Sequence, residues 1–115
     1  MFSLSSSQQY YFYPKACDMR KGFDGLSGLV TNELGKSPIS GEVFVFVNKH
    51  KNRIKLLHWE SGGLVIYHKR LEKGTFAIPK IQTNASYISW PNLVLLIEGI
   101  VVQKSLQKTR FCLKK

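Results

Sequence analysis

From Val43 onward the chain alternates apolar ribbons with polar turns. Val43 to Val47 is apolar without a break, as expected of a strand covered on both faces. Asn48 to Asn52 is a polar turn. From Arg53 the residues alternate, with Arg53, Lys55, Leu57 and Trp59 on one face and Ile54, Leu56 and His58 on the other. Glu60-Ser61-Gly62-Gly63 predicts a tight hairpin turn, because glycine accepts positive φ. Leu64 to Leu71 returns as the third strand. Setting Trp59 opposite Leu64 brings Lys55 beside His68 and Arg53 beside Arg70. Positive charge then gathers at the ribbon end away from the glycines.

The flanking segments carry other periods. Ser3 to Gln9 is polar, and residues 1–9 are expected to be flexible. Tyr10 to Tyr13 suits a short edge strand stopped by Pro14. Asp18 to Leu34 predicts a helix, because Met19, Phe23, Leu26, Val30 and Leu34 fall on one stripe. Asp18 is the expected N-cap, and Gly35 stands where a left-handed C-cap belongs. Gly22, Gly25 and Gly28 lie off the stripe, each costing about 1 kcal/mol against alanine. Either something approaches them closely or they are tolerated weak spots. Thr75 to Ile81 reads as a fourth short strand limited by Pro79. Ile88 to Ile100 predicts a second helix, with Ser89 as cap and Pro91 in the first turn. Its apolar face is Leu93, Leu96, Ile97 and Ile100. The fold class is therefore α+β, a small antiparallel β-meander of three to five strands packed by two helices.

A length of 115 residues fits a single domain, 1–115, with a basic tail over 104–115. Seventeen Lys and Arg against seven Asp and Glu give a net charge of +10, which favours DNA, RNA or an acidic protein as partner. Cys17 and Cys112 stand far apart in sequence and belong to no CxxC, so no disulfide framework or zinc motif is implied. The start of the chain is not a secretory signal, and no apolar run reaches membrane-spanning length. A cytoplasmic protein without membrane contact is expected.

Enzymatic chemistry finds no support in the residue pattern. No Ser-His-Asp or Cys-His arrangement stands out, and the acids do not cluster as a metal nuclease requires. His58, Glu60 and His68 could meet as zinc ligands only if both histidines shared a face, and the alternation separates them. No GK[ST] follows the glycine pair, so a phosphate loop is excluded. No cofactor is expected. The basic set is more informative, since two-stranded ribbons fit the DNA major groove. Its members are Arg20, Lys21, Lys49, Lys51, Arg53, Lys55, Lys69, Arg70 and Lys73. Trp59 could stack on an unpaired base or pack beside Leu57 and Leu64.

Three stretches carry a family resemblance: DMRKGFDGLSGLV (Asp18 to Val30), SGEVFVFVNKHKNRIKLLHWESGGLVIYHKRLEKGTF (Ser40 to Phe76) and LVLLIEGI (Leu93 to Ile100). In this order they resemble the TnpB family, the Orf2-like accessory proteins of the bacterial insertion sequences numbered sixty-six. Two features depart from the pattern: Trp90-Pro91 replaces a Thr-Pro one step earlier, and the tail beyond Gly99 is longer. The resemblance implies a protein encoded beside a DDE-type transposase that assists transposition without catalysis of its own. The expected partners are DNA, at the insertion-sequence ends, and that transposase. The alternative is an adaptor that binds the transposase without touching DNA. An exposed strand edge would also allow a homodimer.

Overall fold

A computed structural model of the chain describes residues 4–78 and 87–98. Its elements are β1 (Tyr10–Phe12), α1 (Phe23–Asn32), β2 (Val43–Val47), β3 (Arg53–Glu60), β4 (Gly63–Arg70), β5 (Tyr87–Ile88) and α2 (Trp90–Glu98). The strands form one sheet in the order β4-β3-β2-β1-β5. The fold is α+β, and β2, β3 and β4 form the antiparallel meander the pattern predicts. The hairpin register agrees with the sequence: Trp59 faces Leu64, Lys55 faces His68 and Arg53 faces Arg70.

The unbroken apolar run of β2 follows from its central place. Val43, Val45 and Val47 enter one core with Ile54, Leu56, Phe76 and the α2 residues Leu93 and Leu96. Phe44 and Phe46 enter a second core with Leu57 and the α1 residues Leu26 and Val30. A helix covers each face, so neither face of β2 meets water. Each buried side chain of this size stabilises the fold by about 1.5–3 kcal/mol.

Four elements depart from expectation. β1 is interior, not an edge, because it pairs in parallel with β2 and antiparallel with β5. The sheet is thus mixed, and α1 is the crossover between two parallel strands. Helix α1 begins at Phe23 with Gly22 as N-cap, so Asp18 does not cap it. Asp18 instead accepts the Arg20 N–H at 2.9 Å and closes the turn ahead of the helix. Phe23 is half exposed, while Leu26 and Val30 are fully buried. The fourth strand does not form over Thr75 to Ile78, and 79–81 lie outside the described residues. Helix α2 begins at Trp90, because Ile88 pairs with Tyr10 in the sheet. Ser89 does cap it, its Oγ accepting from the Asn92 N–H at 3.3 Å.

The lead segment is tied to this frame. The Tyr10 hydroxyl donates to the Ser5 carbonyl at 2.8 Å and accepts the Ser5 N–H at 2.9 Å. Leu4 packs on the α2-side core. Among the described residues, no helix is long and apolar enough to cross a membrane. The expected tail over 104–115 and Cys112 lie outside the described residues.

Candidate nucleic-acid interface

The sheet has a basic end, built by the β2–β3 turn. Asn48 shapes that turn, because its side-chain Oδ1 accepts the N–H groups of Asn52 and Arg53, each at 3.0 Å. Lys51 adopts φ 58°, which lets the chain reverse and leaves Lys49, His50 and Lys51 exposed. The loop after β4 is stapled beside this turn. The Leu71 N–H donates to the Asn52 carbonyl at 2.8 Å, and the Phe76 N–H to the Lys51 carbonyl at 2.7 Å. Phe76 is buried, so Lys73 rides on a loop held at both ends and faces solvent beside the turn. Arg53 and Arg70 complete the cluster from the ribbon end. The turn and strand ends thus gather Lys49, Lys51, Arg53, Arg70 and Lys73.

Two of the sequence-predicted contacts are committed inside the protein. Lys55 is 8% exposed, and its Nζ donates to the carbonyls of Met19 and Lys21, each at 2.8 Å. Burial of an ammonium needs such partners, and here they tie the turn before α1 to the ribbon. Lys69 points to the other face, where its Nζ donates to the Ile97 carbonyl at 2.7 Å near the end of α2. A cation there satisfies a terminal carbonyl and complements the helix dipole.

Arg20 and Lys21 stand on the α1 side. The Arg20 guanidinium forks onto Asp18, Nη2 to Oδ2 at 2.7 Å, and holds that carboxyl well below the usual range. The pair is largely exposed and stabilises little. Lys21 is half-buried, with its carbonyl given to Lys55. Among the described residues, Lys49, Lys51, Arg53 and Lys73 carry no ion pair, and Arg70 pairs only with Glu72 at 3.1 Å.

The histidines separate as the alternation requires. His58 is buried on the α2 face, its Nε2 3.1 Å from the Gln8 side-chain amide. His68 is exposed on the α1 face, opposite Lys55. Trp59 is half-buried opposite Leu64. His68 belongs with the basic cluster although charge counting passed over it; its place opposite Lys55 in the hairpin register was the available signal.

Fold and site define a small mixed-sheet α+β protein with cations collected at one end of its central ribbon. The model of the family described as "IS66 Orf2 like protein" matches residues 8–111. The chain belongs to this family of insertion-sequence accessory proteins. It is also 34% identical over 83 residues to the uncharacterized protein y4jC of Sinorhizobium fredii, covering 72% of this chain and 71% of that one. Uncharacterized protein y4hO of the same strain is 34% identical over 83 residues, covering 72% of each chain. No solved structure gives a significant match.

Proposed function

We propose that this accessory protein binds DNA, at the insertion-sequence ends, through the basic end of its β-ribbon, and does no chemistry of its own. The supporting observation is the convergence of Lys49, Lys51, Arg53, Arg70 and Lys73 through a turn and a loop stapled together. A rigid platform of cations releases counterions from duplex DNA without the ordering cost of a flexible arm. Arg20 joins it if duplex displaces the Asp18 carboxylate. Lys55 and Lys69 support the platform from within. The partner expected beside DNA is the DDE-type transposase, and the setting is the cytoplasm.

A gel shift with insertion-end duplex, random duplex and purified transposase tests this reading. A Lys49→Ala, Lys51→Ala, Arg53→Ala, Arg70→Ala variant should lose DNA binding and still co-purify with the transposase. A variant that keeps DNA binding and loses the transposase would make the protein an adaptor.

A further inference from the structure

Between the ribbon end and the loop beyond β4 lies an open cleft of about 320 Å³, lined by Arg53, His68, Arg70 and Glu72. Its floor follows from the hairpin register. Arg53 and Arg70 are direct cross-strand partners, as are Lys55 and His68, and residues two apart share a face. Two guanidiniums, an imidazole and a buried ammonium therefore share one small patch. Like charges directly opposite cost stability, and among the described residues that line the cleft only Glu72 offsets them. That carboxylate is a weak counterion here, with its side chain 78% exposed. The Arg53 guanidinium and the His68 ring make no hydrogen bond among the described residues. The charged groups around His68 are Arg53 and Lys55 from β3, Arg70 from its own strand and Glu72 beyond it. Partial desolvation of the ring against the sheet, with the charges of Lys55, Arg53 and Arg70 added, holds the His68 pKa below its ordinary value.

We infer that this cleft seats a single phosphate group, gripped by the planar forks of Arg53 and Arg70 with His68 as a third donor. Guanidiniums match the spacing of phosphate oxygens, and a charge-assisted bond is about twice as strong as a neutral one. Glu72 competes for Arg70 and gives way when phosphate enters. The inference takes the DNA reading for the source of the phosphate, a backbone phosphodiester, and stands without it for the seat.

The test follows the His68 ring signals by NMR in the full chain. Inorganic phosphate is titrated in, with sodium chloride at matched ionic strength as reference. Phosphate should shift the ring signals saturably and raise the His68 pKa, and chloride should do neither. Arg53→Gln and Arg70→Gln should each weaken phosphate binding about tenfold. Glu72→Gln should strengthen it, and Lys36→Gln, beside β5 at the opposite edge of the sheet, should leave it unchanged. Identical responses to phosphate and chloride overturn the seat, as does full phosphate affinity in both arginine variants. A duplex titration then separates the two readings. Duplex binding without phosphate binding removes the seat and keeps the DNA interface. Phosphate binding without duplex binding keeps the seat and removes the DNA source.

Discussion

At the scale of single residues, Lys55 illustrates how charge in a sequence misleads. Alternation placed it correctly on the Arg53 face, yet its ammonium closes on two carbonyls instead of reaching solvent. Nothing in the spacing announces that the turn at Met19 folds over it, because the contact joins residues 36 positions apart. Lys55→Met keeps the side-chain length and orphans both carbonyls, so unfolding in urea should show a loss of about 1–3 kcal/mol. A loss below about 0.5 kcal/mol, the range of ordinary surface changes, would contradict the structural role. Tyr13 offers a second check. Its buried hydroxyl donates to Glu33 Oε1 at 2.8 Å, and burial, then that carboxylate, push its pKa up to about 12 from 10.0. The folded value lies above the unfolded one, so the stabilisation is complete below about pH 10 and is lost as the pH rises through about 12. Tyrosinate absorbance in an alkaline titration should show a late component, to which buried Tyr10 also contributes, and Tyr13→Phe should remove part of it.

At the scale of elements, glycines that look alike in the sequence differ in what they do. The hairpin loop is Ser61-Gly62, with φ of 50° and 84°, the pair of positive values a type I′ turn requires. Gly63 opens β4 without a positive φ. Gly62→Ala should therefore cost about 1–2 kcal/mol, while Gly63→Ala should be near neutral in thermal melting. In α1, a methyl added at Gly25 would stand 2.9 Å from the Lys21 Cβ, whereas one at Gly28 meets only the Asn32 amide at 3.9 Å. Lys21 cannot easily retreat, because its carbonyl holds Lys55. Gly25→Ala should lower stability by about 1–3 kcal/mol through overpacking. Gly28→Ala should raise it by about 0.5–1 kcal/mol, the helix propensity gained. Equal effects at the two positions would remove this distinction. The meander was legible because period-two alternation and turn glycines are local signals. The place of β1 was not, since its partners are Val43–Val45 and Tyr87–Ile88, far along the chain. The start of α1 was misread because Asp18 has the capping residue type but spends its carboxylate on Arg20.

At the scale of the whole molecule, a net charge of +10 is not spread evenly. Lys55 fastens the turn before α1 to the sheet, Lys69 fastens α2, Lys15 pairs with Glu33, and Lys36 pairs with Glu42. The outward cations that remain at the ribbon end could neutralise about 4–6 phosphates, so log affinity should fall against log salt with a slope near −4 to −5. A slope near zero, measured by fluorescence anisotropy on a labelled duplex, would end the DNA reading. The part of the site that could be read from the sequence was its clustering, which follows from the register. Which cations are free could not be read, because that depends on carbonyls brought in by the turn before α1 and by α2.

The interior position of β1 has a temporal consequence. A ribosome releases Tyr10–Phe12 before anything else in the sheet, and its two neighbours arrive at very different times. Once Val43 to Val47 emerges, β1 can dock on one side only. Its other flank of N–H and C=O groups stays unpaired until Tyr87 and Ile88 are made. For that interval the nascent chain carries an open edge of Tyr-Tyr-Phe, a sticky surface of the kind that invites mispairing. The finished protein hides that edge with two residues, and a chain cut short ahead of Tyr87 would keep it for life.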